Sequence, residues 1–177
     1  MNEHGPPSRT RGRQTAWDMV RSLALVLVVV AAAVLLLPRP TEPVRQPVDV
    51  PGAAAAAQAA GAPSVVPDVP SDWTPNAARF DATGPDGVPT WHVGYVTAGE
   101  RYAGVEMTSS ATPQWLDDVT GGGVEIGEQV VGSARWREYL SDDGRLRSLV
   151  RESAGVTTVV TGTASLDELV VLAESLG

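Results

Sequence analysis

The apolar residues of this chain follow two regimes. Leu23 to Leu37, LALVLVVVAAAVLLL, is an unbroken apolar run of fifteen residues, whereas from Trp73 onward apolar and polar positions interleave in short segments. Between the two, Pro38–Asp72 carries eight prolines and no hydrophobic period.

The interleaved part predicts short strands and two helices. Phe80–Thr83 is a brief first strand, ended by the turn Gly84-Pro85-Asp86-Gly87. In Thr90–Thr97, Trp91, Val93 and Tyr95 share one face and His92, Gly94 and Val96 the other, the period of two that marks a strand. Ala98-Gly99-Glu100 turns it into Tyr102–Thr108, whose Ala103, Val105 and Met107 join the buried side. Thr112 then caps a helix with Pro113 in its first position, a stripe of Trp115, Leu116 and Val119, and a stop at Gly121–Gly123.

Glu125–Val131 is a weaker strand, and Asp142-Asp143-Gly144 closes the next hairpin. A three-residue loop there sets Leu140 opposite Leu146 and Trp136 opposite Val150; a two-residue loop sets them opposite Arg147 and Arg151. The first register keeps the apolar side chains together and is the one expected. Its other face gathers Arg135, Arg137, Tyr139, Arg147 and Arg151 around Leu149. Val156–Thr163 is β-branched nearly throughout and suits a central strand. Ser165 and Glu168 have the spacing of a capping box, opening a helix whose apolar face is Leu166, Leu169, Val170, Leu172, Ala173 and Leu176. The expected fold of residues 73–177 is α+β, an antiparallel sheet with two helices on one face.

Extended back through Val20, Met19, Trp17 and Ala16, the apolar run reaches the ~20 residues that ~30 Å of hydrocarbon requires at ~1.5 Å per helical residue. Pro38 and Pro40 stop it. Arg9, Arg11, Arg13 and Arg21 precede or open it, which keeps that end in the cytoplasm. The expected layout is a cytoplasmic tail (1–19), a transmembrane helix in the bilayer from Val20 to Leu37, an extracytoplasmic Pro/Ala-rich linker (38–72) and an extracytoplasmic domain (73–177). A cleaved secretory signal is the rival reading. Against it, the run exceeds the usual ~7–15 apolar residues, and the small triplet Ala31–Ala33 leads into more helix rather than a polar exit. Within the linker, Gly52–Gly61, GAAAAAQAAG, is too short to hold a helix alone and stays frayed unless it docks.

Charge follows the same division. Residues 1–22 hold four arginines against two acids, and residues 38–177 hold nine against nineteen. So acidic an outer part excludes nucleic acid as a partner and disfavours an anionic lipid face. The chain has no cysteine, so the domain must be held by its core alone.

Arg11-Gly12-Arg13-Gln14-Thr15-Ala16-Trp17-Asp18-Met19, Leu37-Pro38-Arg39, Trp91-His92-Val93-Gly94-Tyr95, Tyr102-Ala103-Gly104-Val105-Glu106 and Thr161-Gly162-Thr163-Ala164 resemble an actinobacterial family catalogued as domain of unknown function 4245, over most of residues 10 to 176. The resemblance implies one amino-terminal span and an outer domain. It implies no activity, ligand or site residue.

Catalytic inventory is thin. His92 is the only histidine after the apolar run, and cysteine and lysine are absent, so a hydrolase would have to use His92 as its base near Tyr102 and Glu106. No glycine-rich loop opens a helix, and Asp117-Asp118 and Asp142-Asp143 lack accompanying ligands, so no cofactor or metal is expected. The arginine stripe is the one feature out of keeping with an acidic domain. Its guanidinium groups suit carboxylate or phosphate, and Tyr139 and Leu149 beside them suit an interface. The leading expectation is therefore a non-enzymatic cell-envelope module on the cell membrane. Its candidate binding face is Arg135, Arg137, Tyr139, Arg147, Leu149 and Arg151, and its partner an envelope protein or anionic wall polymer. The alternatives are a hydrolase using His92 and an accessory subunit of a larger membrane complex.

Overall fold

Alanine is the strongest helix former, and the alanine run does become a helix, α1 (Val50–Ala59). Its ends explain why it holds. Asp49 Oδ1 accepts from the Gly52 amide at 2.9 Å, and Pro51 sits in the first turn. At the far end Gly61, at φ +78°, donates to Gln58 O at 2.9 Å while Ala62 donates to Ala57 O at 3.0 Å, the paired closure that a left-handed glycine permits. Val50, Ala54 and Ala57 are buried in the main core.

This computed structural model describes residues 19–30 and 47–177. The chain divides into two units, and the one that carries the fold runs from Pro47 to Gly177. The expected boundary at residue 73 therefore moves back to Pro47, because the alanine face of α1 docks instead of fraying. In the other unit, residues 19–30 are helical with their apolar side chains exposed. Among the described residues no helix is long and apolar enough to cross a membrane. The expected tail up to residue 18, the span residues 31–37 and the linker residues 38–46 lie outside the described residues.

Seven strands follow α1: β1 (Thr74–Asp81), β2 (Thr90–Val96), β3 (Tyr102–Thr108), β4 (Val124–Val131), β5 (Ala134–Leu140), β6 (Arg147–Ser153) and β7 (Val156–Gly162). Helix α2 (Pro113–Thr120) separates β3 from β4, and α3 (Leu166–Glu174) follows β7. One antiparallel sheet holds all seven strands, in the order β1-β2-β3-β7-β6-β5-β4. It consists of two meanders joined where β3 meets β7. The α+β class and the antiparallel sheet are as expected.

The helices lie on both faces of the sheet, not on one. Strand β2 is buried along nearly its whole length, so both of its faces need cover. On one face α1 and α3 pack over Trp91, Val93, Tyr95, Val105, Trp136, Leu149 and Val160. On the other, Trp115 of α2 packs over Tyr139, Val150 and Val159. Thr112 caps α2 through the Trp115 amide, and Gly121 ends it at φ +67°. Ser165 and Glu168 form the reciprocal capping box of α3.

Strand β1 begins well before Phe80. Its Pro75, alanines and Asn76 hide the alternation, and a bulge lies between Pro75 and Ala77. The β5–β6 hairpin also departs from expectation. Leu140 pairs with Arg147, Tyr139 with Ser148 and Arg137 with Val150. The loop has four residues, closed by Ser141 N–H to Leu146 O at 2.9 Å, with Ser141 Oγ accepting from the Leu146 amide at 2.9 Å. This returns the pairing to the register that a two-residue loop would give. It is tolerated because neither arginine on the core face is left bare. Arg151 lies 4.8 Å over the Trp136 ring and Arg147 pairs with Glu138.

Candidate functional site

The corrected register divides the expected arginine face. Arg135, Arg137 and Tyr139 stay together on the α2 side of the sheet, while Arg147, Leu149 and Arg151 point to the side covered by α1 and α3. Leu149 is fully buried and Tyr139 nearly so, and neither is open to a partner.

The arginines are also engaged. Arg137 Nη2 donates to Glu152 Oε1 at 2.8 Å and Nη1 to Tyr139 Oη at 2.9 Å, while that hydroxyl donates to Glu125 Oε2 at 3.2 Å. Burial is the main force raising the Tyr139 pKa, offset by Arg137 and reinforced by Glu125. Arg135 reaches Glu128 at 3.3 Å. A groove of about 400 Å³ runs between Glu128, Arg135, Arg137, Val150, Arg151 and Glu152. Of its three guanidinium groups, those of Arg135 and Arg137 are paired with Glu128 and Glu152, and that of Arg151 lies over Trp136 and donates to the Gly177 carbonyl at 2.8 Å. On the opposite face Glu138 is buried and takes both Arg147 and the Gln129 side-chain amide, the latter at 2.7 Å. These are fold-holding pairs.

A single row of paired residues crosses the α2 face: Arg79, His92, Glu106, Val159, Val150, Arg137 and Glu128. Trp115 covers the middle of that row, and its indole N–H donates to Thr90 Oγ1 at 2.9 Å. At one end His92 Nδ1 lies 2.5 Å from Glu106 Oε1, and both side chains are mostly enclosed. Tyr102 lies across Gly94 and Gly104, a directly opposed glycine pair where any Cβ would overlap or crowd the ring. Burial, then the charge of Glu106, pushes its phenol up to about 12, with Arg79 opposing. Sequence reasoning placed His92 near Tyr102 and Glu106; the structure pairs His92 with Glu106, while Tyr102 lies over the neighbouring Gly94–Gly104 pair.

A carboxylate on one ring nitrogen is how a catalytic histidine is oriented. The remaining requirement is a nucleophile. Among the described residues, the only side-chain hydrogen bond of His92 is the one to Glu106. Nor do any three histidine or acidic side chains among them come together as a metal site.

The family model described as a protein of unknown function, DUF4245, matches residues 11–176. The chain belongs to the DUF4245 family. No curated protein and no solved structure matches it. The match takes in both the apolar run and the whole of the seven-stranded DUF4245 sheet, so the two units belong to one family pattern.

Proposed function

We infer that this DUF4245 chain is a membrane-anchored interaction module: the segment Val20–Leu37 lies in the bilayer, and the acidic seven-stranded domain stands outside the cytoplasm and works by binding another protein. One observation carries the anchor. In the helical residues 19–30, Val20, Leu23, Leu25, Val26, Leu27, Val28, Val29 and Val30 are each more than half exposed, an apolar surface that water does not tolerate and lipid does. The arginines of the amino-terminal flank give the orientation. Binding is favoured over catalysis because His92 has an orienting carboxylate but, among the described residues, no bonded nucleophile. A protein is favoured over an anionic polymer because Arg135, Arg137 and Arg147 are already neutralised by glutamates.

An alkaline phosphatase reporter fused after Gly177 tests the layout, since that enzyme is active only once exported. Membrane-bound activity is expected. A reporter active only when replaced by a cytoplasmic one, or product recovered free in the soluble fraction, overturns the reading. The second reading, a hydrolase, rests on the 2.5 Å His92–Glu106 contact and requires ester or amide hydrolysis by the full chain that disappears in His92→Ala.

A further inference from the structure

The sheet has two outer edges, and the chain treats them differently. Strand β1 is blunted by Pro75 and a bulge, and α1 packs against it. Strand β4 also has a bulge, between Glu125 and Gly127, but neither proline nor lysine, and it is exposed along most of its eight residues. Val124, Ile126 and Val130 are 60%, 49% and 68% exposed, and only Val66 and Val171 elsewhere in the Pro47–Gly177 unit are large apolar residues so open.

Its backbone is also available. Gly132-Ser133 makes a two-residue turn, with Val131 paired to Ala134 and Gln129 to Trp136. In such a hairpin the closing pair is hydrogen-bonded and the pairs alternate, so Val131 and Gln129 face β5 while the N–H and C=O of Glu128 and Val130 face away from it. Among the described residues none of these outward groups has another backbone partner.

We propose that the outer edge of β4 takes up an extended segment of a partner protein, as an eighth strand, and that this segment alternates apolar and basic side chains. The apolar positions are dictated by Val124, on the α1 and α3 side of the strand, and by Ile126 at its bulge, while Val130 lies on the α2 side. The basic ones follow from Glu125 and Glu128 on the α2 side of the same strand and from the excess of acids in the domain, eighteen against seven arginines in residues 47–177. The same excess opposes a second copy of this chain as occupant, since two such domains repel. The proposal rests on reading the domain as a protein-binding module; it does not depend on the anchor, so the reporter fusion and the test below fail independently.

The test uses the full chain in mild detergent and a synthetic decapeptide of alternating valine and arginine, with a valine–glutamate decapeptide and a blocked, same-composition valine–arginine sequence as controls. Binding by fluorescence anisotropy is expected for the alternating basic peptide, at least tenfold tighter than for either control. Hydrogen exchange should slow at the Glu128 and Val130 amides when it is added. Val130→Pro removes one outward donor without touching a β4–β5 bond and should weaken binding at least tenfold. Val130→Lys, which keeps the backbone, should weaken it through charge. Equal binding of the controls, no protection in β4, unchanged affinity in both variants, or a dimer by sedimentation that Val130→Pro dissolves would each overturn the proposal, the last by making a second copy the occupant.

Discussion

Gly162→Ala is the substitution on which the architecture bears most directly. Gly162 ends β7 and pairs with Ala103 on one side and Arg147 on the other, at the joint between the two meanders. A Cβ built there would overlap the Tyr102 carbonyl oxygen and lie 2.9 Å from that carbonyl carbon and 3.0 Å from Ala103 Cα. These are backbone atoms, so no side chain can rotate away and the strands must part. Parting them loosens the Ala164 N–H to Tyr102 O bond, 3.0 Å long, and the adjoining β3–β7 ladder. Overpacking costs ~1–3 kcal/mol and each weakened hydrogen bond ~1 kcal/mol. Alanine returns ~0.4–1 kcal/mol by stiffening the unfolded chain. The net loss is about 3 kcal/mol, a large part of the ~5–15 kcal/mol typical of a domain. Gly127→Ala is the matched control, because a Cβ there meets nothing within 4 Å. Urea unfolding followed by tryptophan fluorescence reads both, since Trp91, Trp115 and Trp136 are wholly buried. With a slope of ~1–3 kcal/mol per molar, Gly162→Ala should lower the midpoint by about 1–3 M, and Gly127→Ala should leave it nearly unmoved. A shift below about 0.3 M for Gly162→Ala, or equal shifts for the two, would refute the argument from backbone overlap.

Two further outcomes follow from named pairs. Arg147→Ala leaves the buried Glu138 with Gln129 alone and should cost about 2 kcal/mol in the same unfolding assay, whereas Arg135→Ala, at a surface pair, should cost less than about 0.5 kcal/mol. The Glu168 carboxyl is held below its ordinary range, first by the Thr97 hydroxyl, which lies just outside full hydrogen-bond geometry, and then by the Ser165 amide and hydroxyl. A carboxylate lowered on folding contributes stability above its unfolded pKa and loses it as pH falls through the folded one. Glu168→Gln should therefore cost about 0.5–1 kcal/mol at pH 7 and progressively less as pH falls below the ordinary glutamate range, and a loss independent of pH would contradict the capping role.

What could be read from the chain beforehand was what local chemistry decides. Thr112 with Pro113, Gly121, and Ser165 with Glu168 are end signals that act within one turn, and all three hold. The alternation of Trp91, Val93 and Tyr95 was visible because one face is wholly apolar. The misses are places where tertiary context outweighed composition. The α1 alanines resembled a linker until a core met them, and Asn76 and Pro75 masked β1. Counting arginine as polar chose the wrong hairpin register, because Arg151 offers a flat cation to Trp136 and Arg147 a partner to Glu138. The supposed binding face dissolved with that register. The open β4 edge went unnoticed because strand order is invisible in a single sequence.

The junction of β3 with β7 also governs when the fold can be completed. Strand β3 emerges early in synthesis, yet its second neighbour is the last strand made, and about fifty residues intervene. Until Val156–Gly162 arrives, the first meander has an unfinished inner border that can recruit any passing chain. Completion of the sheet thus waits on β7, and a nascent domain that stalls before that strand keeps the inner border of β3 unpaired.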